Sequence, residues 1–304
     1  MNHEPDMNSP LLADWVEESA RWFRDWGDSD WEKDLLESGT AKLNEHGYDQ
    51  FGMSPAYIKK VVPIVRFLYR AYFRVETSGL ELPPGRVILA SNHSGQLPID
   101  GLLIGAAVAI EGNPPRIVRS MVERLVPSLP FVGSFMSRCG QVLGDRANVK
   151  RLLEDEEAVL VFPEGIRGIS KTWSKRYQLQ PFGSGFVRLA METNTPIVPV
   201  GVVGAEEAIP ALFNWSGLAK LVGLPSFPIT PTFPLVPVLG ALPYPVRIRL
   251  SFGEPIVFGS DDSDMQIVEN VNFVKSRISD LLDKGLDRRE RQGGLRGEIA
   301  RWLR

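Results

Sequence analysis

The sequence predicts an α/β protein: one mixed, largely parallel sheet flanked by helices, with a helical appendage at the N-terminus. Three observations predict it. Short apolar runs, Val87-Ile88-Leu89-Ala90 and Ala158-Val159-Leu160-Val161-Phe162 among them, read as buried strands. Helix-like segments separate those runs, as crossover connections require. One late segment, residues 246–252, alternates apolar and polar side chains, as an edge or half-exposed strand does.

The elements follow in order. Residues 1–55 form the appendage, in which Trp15, Trp22 and Trp26 share one helical face and Trp31 follows among many acids. That face either packs on the main domain or anchors at a membrane interface; the acidic balance favours packing. Residues 57–75 mix basic, aromatic and aliphatic side chains at helical spacing. They read as a membrane-surface helix or as a surface helix whose arginines snorkel. Strands are expected at 87–90, 116–120, 141–143, 158–162, 197–203 and 246–252. Helices are expected at 101–110, 185–193 and 264–283, the last carrying Met265, Val268, Val271, Ile278 and Leu282 on or near one face. From Lys284 the chain is Arg-rich and broken by glycines, which reads as a partly mobile tail. The organisation is therefore an appendage (1–55), a main domain (56–284) and a basic tail (285–304).

Composition removes several function classes. A length of 304 residues allows one large domain or two small ones. A net charge of −3 argues against a nucleic-acid partner, because neutralising phosphates needs a basic face. Cys139 is the single cysteine, so there is no disulfide framework and no Cys-based zinc site, and no metal is expected. The opening MNHEPDMNSP lacks the basic start and apolar core of a secretory signal. No apolar stretch approaches the roughly 20 residues of a spanning helix. The run 61–72 holds Pro63, Arg66 and Arg70, and the run 224–246 holds seven prolines.

Four segments carry chemistry or its framework. Ser91-Asn92-His93-Ser94-Gly95-Gln96-Leu97-Pro98-Ile99-Asp100 puts an imidazole at the exit of a strand and a carboxylate one short loop later. An imidazole there can take a proton from a hydroxyl, and a nearby acid can fix its tautomer. A histidine in that place is also commonly a structural residue held by backbone. His3 and His46 fall in a terminal and a loop-like stretch, which leaves His93 as the candidate base. Gly140-Gln141-Val142-Leu143-Gly144-Asp145-Arg146 delivers Arg146 past a short strand. Val161-Phe162-Pro163-Glu164-Gly165-Ile166-Arg167 ends a buried strand on a turn bearing Glu164 and Arg167, with Lys171, Lys175 and Arg176 beyond. Arginine forks there suit a phosphate, or form a surface pair with the acid. Thr195-Pro196-Ile197-Val198-Pro199-Val200 has no ionisable group and is architectural.

Taken in this order, the four segments resemble the motifs of the glycerolipid acyltransferase family, which contains bacterial 1-acylglycerol-3-phosphate acyltransferases. Phe162 to Gly165 matches the family's Phe-Pro-Glu-Gly block outright, and Arg167 sits where its arginine belongs. Gly140, Asp145 and Arg146 match the ends of a second block, and Ile197 to Val200 matches the closing strand; the likeness runs over about 65–258. The sequence departs from the family at the first block, where the usual His-x4-Asp spacing would put the acid at Pro98. The nearest carboxylate is Asp100, giving His-x6-Asp. A turn two residues longer costs little closure entropy, so Asp100 is the expected partner of His93.

The resemblance implies an O-acyltransferase. His93 would deprotonate the hydroxyl of a lysophospholipid or related glycerolipid as it attacks an acyl thioester on coenzyme A or acyl carrier protein, with Asp100 holding the ring. Arg146 and Arg167 would bind the acceptor phosphate, and Glu164 and Gly165 belong to the same substrate-binding set, the acid placing glycerol hydroxyls or an arginine. The oxyanion would be met by N–H groups near Ser94-Gly95 or in the turn 163–168. No cofactor is implied beyond the acyl-CoA or acyl carrier protein cosubstrate. The expected place is the cytoplasmic face of the cell membrane, peripheral or monotopic, with apolar residues of 224–246 lining an acyl groove or covering the core. The altered spacing leaves a second reading, a lipid-binding member without turnover, and a third is a thioester or lipid hydrolase in which the same histidine activates water.

Overall fold

A computed structural model of the chain describes residues 43–94, 98–124, 131–211, 213–214, 228–229, 243–259, 261 and 263–294. The tryptophans of the appendage and most of the proline-rich run 224–246 lie outside the described residues.

The strands are β1 (Glu76–Ser78), β2 (Val87–Ser91), β3 (Val118–Val122), β4 (Val142–Leu143), β5 (Ala158–Val161), β6 (Ile197–Val203), β7 (Phe213–Asn214), β8 (Pro228–Ile229) and β9 (Arg249–Phe252). The helices are α1 (Pro55–Phe67), α2 (Ile99–Glu111), α3 (Val132–Arg138), α4 (Arg146–Glu154), α5 (Ile166–Ile169), α6 (Gly185–Glu192), α7 (Ala205–Ala208) and α8 (Asp264–Arg291). The described residues form one seven-stranded sheet in the order β1-β9-β6-β2-β5-β3-β4, and β7 pairs with β8 separately. Strands β6, β2, β5, β3 and β4 run parallel, while β9 lies antiparallel to β6 and carries β1 parallel to itself.

Strand β2 is central because its side chains are apolar on both faces. Val87 and Leu89 pack with Leu103 and Ile104 of α2 and with Tyr69 and Phe73. Ile88 and Ala90 face the other way, toward Leu152 of α4, Val187 of α6 and Val274 and Ile278 of α8. Helices thus cover both faces, and the polar segments that leave β2, β3, β4 and β5 emerge at one end of the sheet, where such proteins bind ligands.

The expected elements are present with shifted ends. Residues 57–75 become α1, opened by Pro55 and continuous through Pro63, followed by a π-helical turn over Leu68–Tyr72. Segment 246–252 is not an edge: β9 is inserted between β6 and the unforeseen three-residue β1, and Glu76 of β1 takes ion pairs from Arg247 and Arg249. The last helix does not stop at Asp283. It continues to Arg291, because Gly285 passes close against Val203 and buried Arg289 donates to Glu207 at 2.7 Å. Arginines in its last turn also suit the negative end of the helix dipole. Among the described residues no helix is long and apolar enough to cross a membrane.

Candidate active site

The exit of β2 is fixed before the histidine is reached. Asn92, fully buried, uses its side-chain amide as a strand surrogate: Oδ1 accepts from the N–H of Val202 at 2.8 Å and Nδ2 donates to its carbonyl at 3.1 Å. The next residue, His93, therefore leaves the sheet in a set direction. Its backbone N–H donates to Oε1 of Glu164 at 2.8 Å. Its ring stacks on Phe162, with centroids 4.1 Å apart and planes 17° apart. Phe162 follows β5, the neighbour of β2 in the sheet, so pairing of the two strands brings ring onto ring.

Asp100 reaches the ring across the longer turn. His93 Nδ1 lies 2.6 Å from Asp100 Oδ2. The same oxygen accepts from the Ser94 N–H at 2.8 Å, and Oδ1 accepts from the Gly101 N–H at 2.8 Å. Asp100 is fully buried in the first turn of α2, where the helix dipole favours a negative charge. Its place beside Nδ1 suits the tautomer that carries the proton there and leaves Nε2 as acceptor. Ser94 is committed to this carboxylate, and Gly95 lies outside the described residues.

Glu164 sits at 2% exposure, with Oε1 on His93 and Oε2 accepting from the Gln180 N–H at 2.8 Å. The family resemblance has this acid placing glycerol hydroxyls or an arginine; both its oxygens accept from protein backbone here. Gly165 has φ 55° and ψ −146°, a region that side chains disfavour. That conformation lets the chain turn from β5 into α5. Its N–H donates back to Phe162, and the Gly168 N–H donates to Gly165. Arg167 is exposed on α5. Arg146, also exposed, donates to Glu192 at 2.6 Å, beside Lys150 on the other carboxylate oxygen at 2.8 Å. Lys150 first, then Arg146, hold the Glu192 carboxyl below its ordinary value.

His93 and Arg146 line one cavity of about 1210 Å³. That is above the usual range for small-molecule sites, about 300–1,000 Å³. Away from the histidine its walls are apolar. Ile58, Val61, Val62 and Val65 line it from one face of α1, and Leu102, Gly105 and Ala109 from one face of α2. Glu123 and Arg124, just past β3, join the polar end. The exposed apolar side chains Ile64, Phe67, Phe131 and Phe135 lie on α1, at the start of α3 and on α3, two of the helices that form the walls.

Several of these residues had no motif to reveal them. Phe162 and Asn92 stood inside recognised segments as apolar or polar filler. Gly168, in α5, packs against the His93 Cβ, and Gln180 holds the Glu164 that binds the His93 N–H; both lie more than seventy residues after the histidine, and no local pattern encodes that meeting.

Comparison with known proteins agrees with the motifs. The family model described as Acyltransferase matches residues 74–203. An uncharacterized protein of Mycobacterium tuberculosis is 40% identical over 247 residues, 78% of this chain and 69% of that protein. A probable 1-acyl-sn-glycerol-3-phosphate acyltransferase of Mycoplasma pneumoniae is 29% identical over 160 residues, 48% of this chain and 56% of that one. A 1-acyl-sn-glycerol-3-phosphate acyltransferase of Limnanthes alba is 28% identical over 147 residues, so the chain spans about half the length of these two enzymes. The crystal structure of the 1-acyl-sn-glycerophosphate acyltransferase PlsC from Thermotoga maritima superposes with TM-score 0.48 at 16% identity, over 75% of this chain and 78% of that one. By its matched domain and by these relatives, the chain belongs to the glycerolipid acyltransferase family and is an acyltransferase.

Proposed function

We propose that the chain transfers a fatty acyl group from an acyl thioester of coenzyme A or acyl carrier protein to the hydroxyl of a lysophospholipid or related glycerolipid. The observation that carries this reading is the His93–Asp100 pair, 2.6 Å apart, at the polar end of a large apolar cavity. His93 Nε2 takes the proton of the acceptor hydroxyl as its oxygen attacks the thioester carbonyl. Asp100 holds the ring and stabilises the imidazolium. The carbon–sulfur bond then breaks, and the imidazolium returns the proton to the departing thiolate. The acyl chain lies between α1 and α2, where aliphatic walls suit it. Arg146 receives the acceptor's phosphate in exchange for Glu192, and Arg167 approaches from α5. Gly165 lets the turn after β5 come close to the substrate. The enzyme works at a membrane surface without spanning it, on the cytoplasmic face, with α1 and its exposed apolar residues toward lipid.

The contact of His93 Nδ1 with Asp100 Oδ2 at 2.6 Å, despite the His-x6-Asp spacing, supports turnover over a lipid-binding member without it. The test is His93→Ala, assayed with labelled acyl thioesters and a panel of lysolipids. Transfer should fall at least about 100-fold with the circular dichroism spectrum unchanged. Near-normal transfer would remove the base assignment. Thiol release that is equal with and without acceptor would replace transfer by hydrolysis.

A further inference from the structure

A line of buried charged groups runs inward from the histidine and takes no part in the mechanism above. Lys171, in the loop after α5, has a side chain only 4% exposed. Its Nζ lies 2.8 Å from Glu206 Oε1 and 3.6 Å from Glu164 Oε2. Glu206 opens α7, just past the end of β6, and its other oxygen accepts from the Tyr177 N–H at 2.7 Å. Glu207 follows, bonded to the Tyr177 hydroxyl and to Arg289 of α8. Lysine is thus clamped between a carboxylate that holds the histidine backbone and one anchored to the far side of the fold. Burial pushes the Glu206 carboxyl up, an effect that Lys171 opposes. Removing one member of such a buried set leaves the others without their partner, which is costly.

We propose that Lys171 and Glu206 are positioning residues for His93: Lys171, braced by Glu206, fixes the Glu164 carboxylate, which fixes the backbone and the electrostatic setting of the imidazole. The proposal rests on His93 acting as the base. The other charged group on the ring is Asp100 from α2, and Glu123 and Arg124 past β3 and Asp145 and Arg146 past β4 line the same cavity as His93. None of these contacts Lys171, so the line through Glu164 can be perturbed separately.

The signs follow from charge. Lys171→Met leaves the Glu164 carboxylate uncompensated on the His93 backbone N–H, one residue's length from the ring, which favours imidazolium. Glu206→Gln leaves Lys171 wholly to Glu164, which disfavours it. The full-length protein and its Lys171→Met, Lys171→Arg, Glu206→Gln and His93→Ala variants would be compared by kcat/KM against pH. In parallel, histidine side chains would be titrated by NMR, with the His93 resonance assigned from the His93→Ala spectrum. We expect the acid limb and the NMR midpoint to move up by about half a pH unit in Lys171→Met and down by a similar amount in Glu206→Gln. Lys171→Arg should stay within about 0.2 unit, and kcat should fall about 10-fold in Lys171→Met with the acceptor KM within twofold. Midpoints that do not move, or move in the same direction, in variants that melt cooperatively would overturn the proposal. If Lys171→Met fails to fold, the direction of the shift in Glu206→Gln decides alone. Loss of the base assignment is a separate result: His93→Ala would remain active while the NMR midpoints still report the charge line.

Discussion

At the scale of single residues, the spacing around the imidazole is set by a side chain that is missing. A Cβ added to Gly168 would stand 2.6 Å from the His93 Cβ and 3.0 Å from the Glu164 Cβ. Neither neighbour can retreat: one is bound to Asp100 and the other to two backbone N–H groups. Gly168→Ala is therefore expected to destabilise the fold by about 1–3 kcal/mol through overpacking. It should also lower kcat on the order of 10- to 100-fold by displacing the ring. A thermal melt and a steady-state assay measure the two effects; normal kcat would mean that the loop absorbs the methyl. The role of this glycine could not be read from the chain. Asp100 could, since a histidine leaving a strand needs a nearby acid and the sequence offers one within reach. Glu164 was legible as a buried-strand terminus bearing an acid, but not as a strut, because its partners are backbone atoms of residues remote in sequence.

At the scale of elements, the central strands were legible because they are apolar throughout. Strand β1 was not, since three residues, Glu76-Thr77-Ser78, carry no pattern and owe their conformation to pairing with β9. The true end of α8 was hidden for a similar reason. Its last turns look polar and solvent-bound, yet Arg289 is drawn in by Glu207, an acid reached only through the fold. The cavity between α1 and α2 is another property of packing. Gly105 lies in its α2 wall, and nothing stands within 4 Å of a Cβ placed there. Gly105→Phe should fill the space where an acyl chain would run, with little effect on stability. Turnover of long-chain thioesters should fall roughly 10-fold relative to short ones, measured across a ladder of chain lengths. An unchanged chain-length profile would place the acyl group elsewhere.

For the whole molecule, the question is how a protein whose described helices do not span a bilayer meets a lipid substrate. Lys60, Ile64 and Phe67 fall on one stripe of α1, with Lys59 beside it, all exposed. Such a mixture suits the boundary between anionic headgroups and acyl chains. Each basic residue near an anionic surface contributes about 1 kcal/mol. The double variant Lys59→Glu, Lys60→Glu should therefore bind phosphatidylglycerol vesicles at least about 10-fold more weakly in a flotation assay, with binding to phosphatidylcholine vesicles little changed. Equal binding would separate α1 from the membrane contact. The notion of a surface helix came from the sequence, but its direction did not. Only the folded chain has the opposite stripe of the same helix, Ile58, Val62 and Val65, facing the interior of the cavity.

The stacking of Phe162 and the bond to Asp100 together prevent the imidazole from turning over. Under the proposed chemistry, a single nitrogen must both collect the alcohol's hydrogen ion and hand it to the outgoing sulfur. The catalyst is then restored before either product departs, and a complete cycle neither acidifies nor alkalinises the medium through the enzyme.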